Sequence, residues 1–286
     1  MDVRSALKVL EQNGSEQTRK VYGRQGVRGA MFGVPYAVLG KLAKQIGCDH
    51  DVACPLWNSG IHEARLLATL TADPLRLSAR DLDAWVRALD NYVVTEAFVR
   101  LVSLSPHART KADEWINSPE EWISSAGWNV LYAQAVGDGG VPAEQTRSES
   151  ELLKLLGRIE LEIHSAPNRT RYAMNSTLIG IGMRSNALER QAIAVATRIG
   201  AVTVDHGLTE CKTPDAATYI PKARKYTAAR QASLPKTVVT AAAVSAVATR
   251  VQKAKLAPKP DLKPAPRTAS STALRRGSAK KIPARR

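Results

Sequence analysis

Aromatic side chains are scarce in this chain: they make up 5% of 286 residues, with only two phenylalanines. Alanine and leucine are plentiful instead, which favours helices packed on helices over a β-sandwich. No stretch approaches the roughly 20 uninterrupted apolar residues of a membrane span. The opening MDVRSALKVLEQNG has no apolar core of the kind a secretory signal needs. Cysteines number three, Cys48, Cys54 and Cys211, too few for a disulfide framework and suited to a reducing compartment. These absences lead to the expectation of a soluble, cytoplasmic protein with no membrane partner.

Acidic residues are missing from one region in particular. From Ser233 to Arg286 there are 13 Lys/Arg and a single acid, Asp261, whereas residues 1–232 hold 28 Lys/Arg against 25 Asp/Glu. Most of the net charge of +15 therefore belongs to the C-terminal segment. Its sequence, AKLAPKPDLKPAPRTASSTALRRGSAKKIPARR, has too little apolar bulk to offset the entropy of ordering, and a largely disordered basic tail is predicted over 233–286. Arg275, Arg276, Lys280 and Lys281 are its candidate phosphate contacts, neutralising charge without reading sequence. A purely solubilising tail is the plainer alternative.

Residues 1–232 alternate helical periodicity with short breaks. Helices are predicted over 3–12, 15–23, 34–47, 51–58, 61–72, 79–88, 91–104, 108–116, 119–137, 148–163, 169–184, 187–199 and 215–232. Asp73-Pro74, Ser105-Pro106, Ser118-Pro119, Ala166-Pro167 and Thr213-Pro214 punctuate them, because the residue before proline avoids the helical region while proline suits a first turn. Ser118 and Glu121 have the spacing of a capping box. Nothing reads convincingly as a strand; AVTVD at 201–205 is the nearest. Helix pairs of about 35–40 residues fit a HEAT-like solenoid or a bundle, and the solenoid is favoured.

Three stretches carry chemistry. LWNSGIHEARLLATLTADP at 56–74 sets His62, Glu63 and Arg65 beside an apolar face; these lack metal-ligand spacing, and structural ion pairing is the better reading. VDHGLTECKTPDA at 204–216 gathers Asp205, His206, Glu210, Cys211, Lys212 and Asp215. A metal half-site there would need a second half, for which Cys48, His50 and Cys54 would be too distant in a solenoid. The expectation is a hydrogen-bonded loop, with Asp205 and His206 capping helices, Gly207 at positive φ and Lys212 at a DNA-facing edge. In LDNYVVTEAF at 89–98, Tyr92 and Glu96 stand four residues apart on one side of a helix, as a site pair or as an ordinary helix face.

LWNSGIHEARLLA, DAWVRALDNY at 83–92, KADEWINSPEEWISSAGW at 111–128 and a block spanning 174–220 together resemble the DNA alkylation repair enzyme family, the HEAT-like-repeat alkylpurine DNA glycosylases. The resemblance covers roughly residues 20–225. It implies an all-α solenoid whose concave basic groove binds duplex DNA and excises purines alkylated at N3 or N7, without metal or organic cofactor. In such chemistry a carboxylate stabilises the oxocarbenium-like sugar and orients water, while aromatic faces hold the cation. The family's Asp-Asn-Trp-x-x-x-Asp block corresponds to Asp90-Asn91-Tyr92-Val93-Val94-Thr95-Glu96, giving Tyr92 and Glu96 the aromatic and acidic roles. Its Trp-x-x-Arg-Ala reads Trp122-Ile123-Ser124-Ser125-Ala126, with Ser125 in place of the DNA-contacting arginine, and a third aromatic is missing near Gly180.

The resemblance carries the fold further than the chemistry. One reading is a glycosylase using Glu96 and Tyr92; another is a DNA-binding solenoid with a degenerate site; a protein-interaction scaffold is a third. Candidate DNA contacts in the helical part are Trp122, Ser125, Arg184, Lys212, Lys222, Arg224 and Lys225, with Arg24, Arg28, Lys41, Lys44 and Arg190 as further phosphate-facing basics. A monomer, associated with the nucleoid if bacterial, is expected.

Overall fold

The computed structural model describes residues 1–137 and 140–233, with side chains as far as Ala229. Arg275, Arg276, Lys280, Lys281 and the tail predicted around them lie outside the described residues. Thirteen α-helices and one short 3-10 turn, Ala143–Gln145, account for the regular structure described. The helices are α1 Val3–Gln12, α2 Glu16–Arg24, α3 Tyr36–Ile46, α4 His50–Asn58, α5 His62–Thr71, α6 Ala79–Arg87 and α7 Tyr92–Ser103. They continue with α8 Ala108–Trp115, α9 Glu121–Val136, α10 Glu149–Glu162, α11 Asn168–Arg184, α12 Asn186–Ile199 and α13 Ala216–Ser233. Each corresponds to a predicted helix, and AVTVD forms no strand.

From α4 onward the helices work in antiparallel pairs. α5, α7, α9, α11 and α13 lie side by side as an inner row, each preceded by its outer partner, α4, α6, α8, α10 or α12. This is a HEAT-like solenoid, in which a pair buries its apolar faces against its neighbours. Inner helices begin at His62, Tyr92, Glu121, Asn168 and Ala216, in steps of 30, 29, 47 and 48 residues. The unevenness explains why no residue-level repeat can be read from the sequence.

Six of the scarce aromatics are buried in the core: Tyr22, Trp57, Trp85, Phe98, Trp115 and Trp128. Trp57 of α4 stacks on Trp85 of α6, centroids 4.2 Å apart and 3° from parallel, and Phe98 of α7 touches both. Phe98 also packs on Trp115 of α8 at 5.8 Å, so one aromatic ladder ties four helices together. Each such pair stabilises by about 0.5–1.5 kcal/mol beyond the area it buries. Asp83 supports the ladder from α6, accepting from Trp115 Nε1 at 3.0 Å and Lys111 Nζ at 2.7 Å. Further along, buried Arg147 fastens the connector before α10, donating to Gln134, to the Arg109 carbonyl and to Asp113.

Glu63 departs from the expected ion-pair cluster. It is 0% exposed, and its carboxylate accepts backbone N–H bonds from Phe32, Gly33 and Val34 at 2.6–3.0 Å, clamping the loop between α2 and α3. Tyr22 adds a hydroxyl bond to the Val34 carbonyl at 2.6 Å. Gly33 is at φ 81°, with the Ser15 carbonyl where a Cβ would be, so no other residue fits there. Arg65 turns away from Glu63, donating to the Ala88 carbonyl and lying over Trp57. The loop's own amides outcompete Arg65 because they have no other acceptor.

Replacing Glu63 with Leu leaves three amides without an acceptor, and a loss of about 3 kcal/mol or more is expected in denaturant unfolding. His62 gives a second, pH-dependent expectation. Its ring is buried edge-on to Tyr22 at 4.9 Å with neither nitrogen hydrogen-bonded among the described residues, and burial holds its pKa below the usual 6.5. Below pH 6.5 the unfolded chain takes up a proton that the folded chain refuses, so this residue's share of stability is lost as pH falls. Melting temperatures measured between pH 7.5 and 5.5 should fall less steeply for His62→Leu than for the wild type.

Candidate nucleic-acid interface

On α7 the sequence Asp90-Asn91 sets up the start. Asn91 is the N-cap, its side-chain oxygen accepting from the N–H of both Val93 and Val94 at 3.1 Å, and its amide nitrogen donates to Asp90 at 2.7 Å. Those bonds fix Tyr92 at the first position of α7, half-buried, and Glu96 one turn later, exposed. Burial raises the pKa values of Tyr36, Tyr92 and Tyr172, and the Glu96 carboxylate adds to the rise in all three. Four groups from α3, α7 and α11 therefore share one electrostatic neighbourhood.

The expected capping box at the start of α9 is not formed. Ser118 instead accepts from the Glu120 N–H, and the Glu121 carboxylate reaches α11, accepting the Arg169 N–H at 2.6 Å. Thr170 donates its hydroxyl to the Glu121 carbonyl, and Ser125, 4% exposed, donates to the Arg169 carbonyl at 3.3 Å. Ser125 is thus a backbone anchor for α11. Trp122 sits half-buried one turn before it.

What those anchors hold is Arg169, which the sequence reading did not single out. Its guanidinium lies over the Tyr92 ring at 4.8 Å and the Tyr172 ring at 5.1 Å, and its buried Nε has no hydrogen-bond partner among the described residues. A guanidinium within reach of two electron-rich rings is held by cation–π attraction to each. The site therefore has an arginine, delivered from the first turn of α11 and not from α9. No local signal marks it: Asn168-Arg169-Thr170 is an ordinary helix start, and only the fold brings it to Tyr92.

The missing third aromatic also has a structural counterpart. Gly180 lies beneath the ring of Tyr132 from α9, and a Cβ at position 180 would come 2.8 Å from it. An aromatic side chain at 180 is excluded because Tyr132 fills that space.

The 204–216 loop closes the site from the C-terminal side. Asn168 and Asp205 exchange side-chain and backbone hydrogen bonds at 2.7–2.8 Å. His206 bonds to the Thr213 hydroxyl and stands edge-on to Tyr172 at 5.3 Å. Burial, then the charge of Arg169, lowers the pKa of His206. Gly207 is at φ 63°, as expected. The capping roles differ from expectation: Asp205 accepts from the Gly207 N–H two residues on, and Asp215 accepts the Thr218 N–H near the start of α13. Cys211 is exposed and contributes to the raised pKa values of Tyr92 and Tyr172. No group of three or more potential metal ligands is found among the described residues.

The other basic candidates are dispersed. Arg184, Lys212, Lys222 and Lys225 are exposed. Arg224 is engaged within the fold, pairing with Glu189 at 3.0 Å and donating to the carbonyls of Gly182 and Met183, where it closes the C-terminal end of α11. The arrangement therefore combines a cation held by two tyrosines, an exposed carboxylate and scattered surface lysines.

With that geometry established, similarity to known proteins can be placed on it. An uncharacterised protein of Listeria innocua, Lin0241, is 28% identical over 224 residues, spanning 76% of this chain and 94% of that one. Lmo0209 of Listeria monocytogenes, also uncharacterised, is 28% identical over 227 residues, spanning 77% and 95%. A solved structure superposes with a TM-score of 0.71 at 28% identity, covering 79% of this chain and 95% of its own. It is described as representing a new family of proteins related to the HEAT-like repeat DNA glycosylases with affinity for branched DNA structures. The sequence pattern of the DNA alkylation repair enzyme family matches residues 4–220, and the chain belongs to that family.

Proposed function

We propose that this protein binds DNA along the face of its inner helices without excising alkylated bases. One observation carries the reading: the guanidinium of Arg169 already lies over the rings of both Tyr92 and Tyr172, at 4.8 and 5.1 Å. Glycosidic cleavage of a cationic purine develops positive charge on the sugar, and an aromatic face assists only if it is open to that charge. Here the Tyr92 ring is engaged by a resident cation that would repel a second one. Glu96 is also one methylene longer than the expected aspartate, and misplacing a reacting group by about 1 Å can cost on the order of a hundredfold in rate.

The substrate form favoured is a branched DNA, such as a four-way junction. The relative of known structure is described as having affinity for such structures, and its length is almost wholly matched by this chain. Where arms meet, phosphates crowd together, and a few fixed cations can engage more than one backbone. The face described has such cations but little surplus charge, since residues 1–232 carry nearly balanced charges.

Two measurements check this. No 7-methylguanine should be released from methylated duplex DNA over background; release by the wild type that disappears in Glu96→Gln would overturn the reading in favour of excision. In gel-shift titrations at fixed salt, a four-way junction should bind at least tenfold more tightly than a linear duplex of equal length. Equal affinities would remove the preference for branches.

A further inference from the structure

We propose that Arg169 is a pre-positioned phosphate clamp: cation–π contacts with the Tyr92 and Tyr172 rings hold its guanidinium so that its accessible N–H groups meet a DNA backbone phosphate. A guanidinium offers its faces to aromatic rings and its five N–H donors in the plane, so stacking and phosphate binding do not compete. The rings lie at 4.8 and 5.1 Å, while the buried Nε lacks an acceptor among the described residues. An unmet buried donor on a charged group is costly. That Nε is closed to solvent, so in the half-buried Arg169 the terminal N–H groups are the donors a phosphate oxygen would meet.

The surroundings fit an anion better than a second cation. His206, edge-on to Tyr172, has its pKa lowered by burial and then by Arg169 itself. The Arg169 backbone is secured twice, by the Glu121 carboxylate and the Ser125 hydroxyl, so the side chain projects from a fixed point. Stacking limits the rotamer freedom that an exposed arginine would lose on binding. Two carboxylates face this neighbourhood. Glu121 is taken up by the Arg169 N–H, and Glu96, exposed on α7, tempers the positive potential.

This inference rests on the DNA-binding reading above, and its test separates the two. Binding of the full chain to a four-way junction is measured as a function of salt for the wild type, Arg169→Gln, Arg169→Lys, Tyr172→Leu and Glu96→Gln. Arg169→Gln should weaken binding roughly tenfold, with the slope of log affinity against log salt shallower by about 1. Arg169→Lys keeps the charge without the planar fork, so the slope should stay near wild type while affinity falls by a smaller factor. Tyr172→Leu frees the guanidinium and should lower affinity with the slope unchanged. Glu96→Gln should tighten binding.

A junction that binds the wild type and Arg169→Gln equally, with one slope, overturns the clamp and leaves the DNA-binding reading standing. No binding by the wild type overturns both. If Arg169→Gln does not fold, as judged by circular dichroism, Arg169→Lys and Tyr172→Leu carry the decision: wild-type affinity in both is against the clamp. Inorganic phosphate in a parallel thermal melt distinguishes the ligand's source. A phosphate-induced rise in midpoint that is lost in Arg169→Gln, without any loss of junction affinity, would make the site one for a free anion and reject the DNA clamp.

Discussion

The seam between α9 and α11 is the constraint on which the rest of the molecule's working face depends. Along it, Glu121 holds the Arg169 amide, Thr170 bonds the Glu121 carbonyl, Ser125 bonds the Arg169 carbonyl, and Thr177 donates to the Trp128 carbonyl at 2.7 Å. Tyr132 closes over Gly180 in the same seam. Polar side chains that reach a neighbouring helix's backbone set its axial position, which apolar packing alone leaves free to slide. Only with α11 locked in that register does Arg169 arrive over Tyr92 and Tyr172.

The same device recurs along the solenoid. Asp83 joins α6 to α8 through Trp115 and Lys111, and Arg147 joins the connector before α10 to α8 and α9. In a quasi-linear array each pair contacts only its neighbours, so register must be specified locally, pair by pair. These buried or half-buried polar groups perform that task. The aromatic ladder of Trp57, Trp85, Phe98 and Trp115 supplies the cohesion on which they act.

Fold and site were legible to different degrees, for physical reasons. Helix positions follow from periodicity and from prolines at the breaks, both local properties, and the thirteen helices lie where the pattern predicts them. The position of Tyr92 and Glu96 was legible because Asp90-Asn91 is a local cap and the motif is contiguous. Arg169 was not legible: it meets Ser125 across 44 residues of chain, and nothing in either segment announces the other. Ser125 reads in sequence as a lost arginine and in three dimensions as the anchor of one supplied from elsewhere. Glu63 was mistaken for an ion-pair partner because a sequence shows charged neighbours but not the backbone amides of a loop thirty residues away. The intramolecular role of Arg224 was hidden for a similar reason, since the carbonyls it closes belong to the end of α11.

The Glu63 clamp has a consequence for how the molecule opens. The loop after α2 is secured by one carboxylate, with Tyr22, Arg19 and single backbone bonds from Ser15 and His62 reinforcing it, and not through a ladder of backbone bonds. α2 and the loop after it can therefore open in one step while α1, whose Ala6 and Leu10 are fully buried in the core shared with α3, α4 and α5, stays in place. Local openings of this kind have their own free energy, below that of global unfolding. Amide exchange in α2 would then proceed ahead of α9 and α11, and the loop after α2 would be the compliant part of the N-terminal end.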